Sequence, residues 1–196
     1  MLKQQPGFSL LELLLACSVG LVLLAVALQA LLAEQRLAGR LGVLLQQRQL
    51  LLRANQLITA DVERGIALAP ELTPRCNLAG RQLLMQILSP DGGLTTYTVG
   101  AAPSTIWQGQ VLMRCGPAYG LDGQVRSGGA YQNRVVLDGL AQDFGAWSGC
   151  QLPTAQSNAQ LPVCWEPASG LVQWQLLLQR DGVSAQRDGQ ALLKSG

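Results

Sequence analysis

Two groups of residues in this chain have types and spacing suited to chemistry. The first is Gly7-Phe8-Ser9-Leu10-Leu11-Glu12, in which one carboxylate sits four residues beyond Phe8 and just inside a long apolar run. A carboxylate near the start of a membrane helix costs on the order of 3 kcal/mol if charged and central, so Glu12 reads as a functional residue. The second group is Cys76, Cys115, Cys150 and Cys164, all beyond the apolar run, whereas Cys17 lies within it. Four thiols downstream of a membrane segment imply an oxidising compartment and two disulfides. They allow three pairings, and the sequence-local one, Cys76 with Cys115 and Cys150 with Cys164, is expected because it clips the first hairpin region and tethers a long loop. Closing the loop from Cys150 to Cys164 contributes about 3 kcal/mol in the chain-entropy account, and the longer loop somewhat more. Zinc is disfavoured, because there is no Cys-x-x-Cys pair and no histidine. Cys17 reads as a small apolar residue of the membrane helix in preference to a palmitoylation site.

Other catalytic and binding signals are weak. The absence of histidine removes the commonest general base and the commonest metal ligand together. Neither a Gly-x4-Gly-Lys-Ser/Thr loop nor a Gly-x-Ser-x-Gly elbow occurs, and Gly116, Gly120, Gly123, Gly128 and Gly129 read as turn formers. Trp107, Trp147, Trp165 and Trp174 could line a sugar site, but aromatic residues of strands and loops more often fill cores. Asp122, Asp138 and Asp143 could ligate calcium, yet no Asp-x-Asp-x-Asp-Gly loop is present and turn-forming aspartates are the simpler reading. The expectation is a non-enzymatic protein without a cofactor.

The elements that must carry these residues begin with the apolar run at 8–33, interrupted only by Ser9, Glu12, Ser18 and Gln29. As a helix it is about 39 Å long, enough to cross a hydrocarbon core of about 30 Å with some tilt. It is too long for a secretory signal peptide and lacks a small-residue cleavage site at its end. Charged residues make up 13% of the chain and hydrophobic ones 48%, with the apolar residues crowded into its first third, an asymmetry that sets an anchor apart from one ordinary domain. The net charge of +2 contains no long run of either sign, so charge identifies no nucleic-acid or lipid partner.

The stretch Gly7-Phe8-Ser9-Leu10-Leu11-Glu12-Leu13 resembles the processing motif of the type IV pilin family, which includes the pseudopilins of type II secretion. The resemblance implies a leader at 1–7, cleavage after Gly7 by prepilin peptidase on the cytoplasmic side, and methylation of the new amine at Phe8. It also implies an assembly role for Glu12, whose carboxylate meets the amine of a neighbouring subunit. Each residue has a physical reason: Gly7 has no side chain to obstruct an extended protease cleft, and Phe8 suits the membrane interface. The leader carries Lys3, fewer cations than family leaders often have, with the positive-inside direction retained. The implied partners are the peptidase, other pilins or pseudopilins and the inner membrane, with the ectodomain in the periplasm and later in a pilus or pseudopilus; nothing specifies nucleic acid or carbohydrate.

Beyond 33 the chain turns amphipathic. Leu37, Leu41, Leu44, Leu51, Ile58, Val62 and Ile66 recur at helical spacing, so the membrane helix is expected to continue through 34–69 with this stripe as a core face. Gly39 and Gly42 each cost about 1 kcal/mol in a helix and predict a bend or unwinding there, as does Gly20 within the membrane. A stop is expected between Gly65 and Pro70. The remainder, 70–196, reads as a β-rich, disulfide-stapled ectodomain. Leu83 to Leu88 and Leu94 to Val99 flank Ser89-Pro90-Asp91-Gly92-Gly93 as a hairpin, followed by strands at 106–114, 134–137, 171–178 and 183–187. Residues 116–132 and 145–170 read as loops. The fold class is α+β, a long N-terminal helix packed on an antiparallel sheet. Leu57 to Arg64, followed by a hairpin and a later Val135-Val136-Leu137-Asp138-Gly139-Leu140, is loosely similar to the PilW group of minor pilins and to J-type pseudopilins, which implies a place near a fibre tip. A membrane-anchored adhesin or DNA-uptake receptor that never polymerises is the alternative.

Overall fold

The structure, a computed structural model, describes residues 9–120, 124–126, 129–142, 150, 156–157, 162–180 and 182–194. One helix, α1 (Leu10–Arg64), precedes β1 (Ala67–Leu68), β2 (Gln82–Leu88), β3 (Leu94–Ala101), β4 (Gln110–Pro117), β5 (Tyr131–Leu140), β6 (Gln156–Ser157), β7 (Val163–Glu166), β8 (Leu171–Arg180) and β9 (Val183–Leu192). The chain divides into two compact units, Met1–Val43 and Leu44–Gly196.

In the first unit the helix is long and apolar enough to cross a membrane. Every described residue up to Gly42 is exposed, including Leu10, Leu14, Leu24 and Leu31. An apolar stripe uncovered all round is stable only in lipid or among other apolar helices. The expected unwinding does not occur: helical backbone runs through Gly20, Gly39 and Gly42. A cost of about 1 kcal/mol per glycine is smaller than that of opening a turn's hydrogen bonds.

In the second unit the last part of α1 lies against one face of a curled antiparallel sheet. Its buried positions are Gln47, Leu51, Ala54, Ile58, Asp61 and Val62, a stripe at spacings of three and four. This corrects the expected stripe at both ends, since Leu37 and Leu41 are exposed and Ile66 lies past the helix. Buried Gln47 and half-buried Asn55 are polar and find partners on the sheet. The Gln47 amide donates to the carbonyls of Arg180 (3.3 Å) and Val183 (3.5 Å), and the Trp174 indole donates to Asn55 (2.9 Å). The helix stops at Arg64. The Gly65 carbonyl then accepts the Lys194 N–H at 2.7 Å and the Ile66 N–H donates to Leu88, which ties the helix end to the sheet.

Nine strands among the described residues form the sheet, in the order β1-β2-β3-β4-β5-β8-β7-β6 with β9 also on β8. β9 pairs with β8 along its whole length, so β7 and β5 must share the other edge, β7 at Leu171–Trp174 and β5 at Leu178. β5 reaches that second partner through a bulge. Gln110 faces Leu140 while Val111 faces Asp138, leaving Gly139 as the extra residue at φ 72°, with its N–H bonded to Gln108. Such a bulge uses glycine to adopt the left-handed conformation and to bend the strand. β8 shows the alternation that buries Val172, Trp174, Leu176 and Leu178, and these join Ile87, Tyr97, Leu112 and the helix face in one core.

Two strand expectations are corrected. β4 begins at Gln110, not Ile106, because the Trp107 N–H closes a turn onto Ser104 and leaves Ile106 exposed. Within the segment read as loop, β7 and the two residues of β6 add to the sheet, and β4 and β5 extend to Pro117 and back to Tyr131.

Candidate functional site

Gly7, Phe8 and Lys3 lie outside the described residues. The described part of the motif starts at Ser9, which caps the helix. The Ser9 N–H donates to Glu12 Oε2 at 3.2 Å, and the Glu12 N–H approaches Ser9 Oγ at 3.4 Å. This is a capping box, and Ser-x-x-Glu is its sequence signature, present at 9–12 but passed over in favour of the membrane-charge argument. Glu12 thus has a structural use in the uncut chain: its carboxylate meets free N–H groups and the positive end of the helix dipole. Release of a new amine at Phe8 would place a full positive charge one residue from this box. Cys17 is exposed on the same helix.

In the ectodomain the two disulfides join Cys76 to Cys115 and Cys150 to Cys164, the sequence-local pairing. The first fastens the segment before β2 to the middle of the sheet, where Cys115 faces Thr96 of β3. The second fastens Cys150 to β7, whose Cys164 faces Gln173 of β8. Of the tryptophans, Trp174 fills the core and Trp165 packs against it, while Trp107 lies in the turn before β4. Asp138 accepts the Gln108 N–H and lies 3.9 Å from Arg180, a pairing that gives it a turn-fixing role. Trp147, Asp122 and Asp143 lie outside the described residues.

The densest polar constellation was not anticipated. Asp61, on the buried face of α1, accepts Arg114 Nε at 2.6 Å and Nη2 at 3.1 Å, the Tyr97 hydroxyl at 2.6 Å, Arg64 Nη2 at 2.6 Å and the Tyr119 hydroxyl at 3.0 Å. Arg114 and Arg64 also stack over the Tyr119 ring, at 4.8 and 5.4 Å. Burial alone would push the Asp61 carboxyl up. The Arg114 hydrogen bond and charge, followed by the Tyr97 and Arg64 bonds, outweigh burial and hold it below the usual carboxylate value. Burial and then the Asp61 charge push the Tyr97 hydroxyl well up, so Tyr97 stays a neutral donor. Arg114 remains charged, since its bond to Asp61 overrides the cost of burial. With the carboxylate oxygens taken up by donors from β3, β4, α1 and Tyr119 beyond β4, the cluster is suited to fixing the helix on the sheet.

Comparison with protein families matches residues 2–28 to the family described as "Prokaryotic N-terminal methylation motif". The matched stretch holds Gly7, Phe8 and Glu12 together with most of the apolar run, so the chain has the prepilin-type N-terminus of a type IV pilin-like protein. That motif belongs to chains cut by prepilin peptidase and assembled with pilin-type partners, and with the apolar helix it indicates a membrane anchor. Comparisons with curated proteins and with solved structures gave no match.

Proposed function

We propose that the protein is a minor pilin or pseudopilin, cut after Gly7, methylated at Phe8, and built into a type IV pilus or type II secretion pseudopilus, or used to prime one. It acts by assembly and display, and it catalyses no reaction. One observation carries this reading: the methylation motif opens directly into a helix whose apolar residues are uncovered, and the same helix ends as the core of a folded, disulfide-stapled ectodomain. In the cell the ectodomain lies on the periplasmic side until it joins the fibre. A long helix followed by an elaborated sheet supports a place in the PilW group or among the J-type pseudopilins, near the fibre tip.

Within this reading, Glu12 serves assembly and not cleavage. An unpaired charge in a low-dielectric boundary is expensive, and removing one partner of a buried pair costs about 3–5 kcal/mol. Glu12→Ala should therefore be processed to the mature size and yet be absent from purified fibres in a strain that makes the other subunits. Incorporation at the wild-type level would remove the charge-pairing role. A protein that is processed but never enters a fibre, with Glu12 intact, would instead be a membrane-anchored binding protein.

A further inference from the structure

The second unit contains a recess of about 320 Å³ between the last part of α1 and strands β4 and β5. Its floor is apolar, with Ala54 and Leu57 from the helix facing Val135 and Val136 from β5. Arg53, Arg114 and Arg134 also line it, and no acidic side chain does. Arg114 is bound to Asp61, which also serves Arg64, so one carboxylate faces two guanidinium groups and a net positive charge remains. Arg53 and Arg134 are exposed, and neither makes a hydrogen bond or ion pair among the described residues.

Arg134 is placed at a cost. It stands directly opposite Arg114 in the β4–β5 ladder, and like charges facing each other across strands destabilise a sheet. The nearby carboxylate of Asp61 offers no relief, because Arg114 and Arg64 already share it. An arginine that is unpaired, repelled by its cross-strand neighbour and set beside a second unpaired arginine over an apolar floor forms half of a binding site. The missing half is a negative charge attached to an apolar group.

We infer that this recess docks a segment of a partner protein in which an aspartate or glutamate lies next to an aliphatic or aromatic side chain. The carboxylate pairs with Arg53 and Arg134, and the apolar side chain fills the space over Leu57 and Val136. The volume, near the lower end of the range for ligand sites of about 300–1,000 Å³, suits one or two side chains. A nucleic acid would call for a track of phosphate contacts and free stacking rings, but the one ring here, Tyr119, is held by Arg64, Arg114 and Asp61. An anionic membrane surface is read by clusters of about four to eight cations, more than the two present. The inference goes beyond the assembly reading and stands without it, since no residue of the methylation motif takes part.

The test uses the full chain in detergent micelles with its disulfides intact. The probes are labelled, acetylated and amidated pentapeptides with Glu or Asp at the centre, Leu, Ile, Val or Phe on either side and Ser at the ends. Each is paired with its Gln or Asn counterpart, and binding is read by fluorescence anisotropy. At least one carboxylate peptide should bind about tenfold or more tighter than its amide counterpart, the scale of one charge-assisted hydrogen bond. In Arg53→Gln/Arg134→Gln that preference should vanish, while Arg134→Gln alone should leave the melting temperature unchanged or raise it. The inference is overturned if no peptide shows the preference, or if the preference survives in the double variant. It is equally overturned if an oligothymidylate or phosphatidylglycerol vesicles show the arginine-dependent binding that the peptides lack. A fall in melting temperature for Arg134→Gln would show that the arginine is a structural residue.

Discussion

Asp61→Asn removes one charge from the middle of the ectodomain and nothing from its shape. The amide keeps one acceptor oxygen, enough for Tyr97 or Tyr119 but not for both, since they donate to different oxygens of Asp61, and Arg114, whose side chain is only 7% exposed, is left buried without a counter-charge. Breaking a buried pair in this way costs about 3–5 kcal/mol, because the remaining ion has already given up its water. For a domain of this size each kcal/mol lowers the melting temperature by about 2–4 °C, so a fall on the order of 10 °C is expected. The pH dependence carries a second signature. The Asp61 carboxyl is held below its usual value in the folded state, so the unfolded chain binds its proton more readily. Its contribution is complete above the unfolded value of about 3.9 and is lost as the pH falls through the depressed folded value. Circular-dichroism melts of the oxidised protein from pH 7 to pH 2.5 should show this acid loss in wild type and a weakened one in Asp61→Asn. A triple change, Asp61→Leu with Arg114→Met and Tyr97→Phe, should recover much of the stability, since both desolvation costs disappear together and no buried hydroxyl is left without its acceptor. A single variant that melts within about 2 °C of wild type, less than 1 kcal/mol on the same scale, would refute the argument that the pair locks helix to sheet.

Two other perturbations follow from close packing and from the cross-links. Gly189 faces Trp174 across β8 and β9, and a Cβ there would run into the Trp174 ring and the Asn55 carbonyl oxygen. Gly189→Ala should therefore destabilise by about 1–3 kcal/mol and shift the tryptophan emission, which a fluorescence-detected urea titration checks. Replacing Cys150 and Cys164 together by serine should cost about 3 kcal/mol, and replacing Cys76 and Cys115 about 4 kcal/mol, because the loop closed by Cys76 and Cys115 is longer; guanidinium titrations of the two pairs give the order.

The N-terminal half of the account was legible because it rests on position as much as on residue type: a glycine, an aromatic residue and one carboxylate placed where an apolar run begins. The β2–β3 hairpin was legible for a similar reason. Its turn is written locally, with the Gly93 N–H bonded to Asp91 and Gly92 at positive φ. The rest of the sheet depends on distant partners. β7 is four residues long and stands as a strand through pairing with β8, so no window around Cys164 and Trp165 announces it. The middle of the α1 stripe, Leu51, Ile58 and Val62, is legible from its spacing, but Gln47 and Asp61 are not, because periodicity rewards leucines and skips polar residues. Gln47 is buried on account of carbonyls, and Asp61 on account of an arginine and a tyrosine, that are more than 30 residues away in sequence. The recess beside Arg53 is hidden in the sequence for the same reason, since Arg53 and Arg134 come to line one recess through the fold and no local pattern marks either.

Maturation is a covalent change at the seventh peptide bond, and the mass of the N-terminal peptide reports it directly. The protein should be purified from the membrane fraction of a cell with a working prepilin peptidase, digested, and analysed by tandem mass spectrometry. A first residue of N-methylated Phe8, with no peptide spanning Gly7 and Phe8, is the result this account predicts. A protein that retains the Gly7–Phe8 bond, or begins elsewhere, would contradict it.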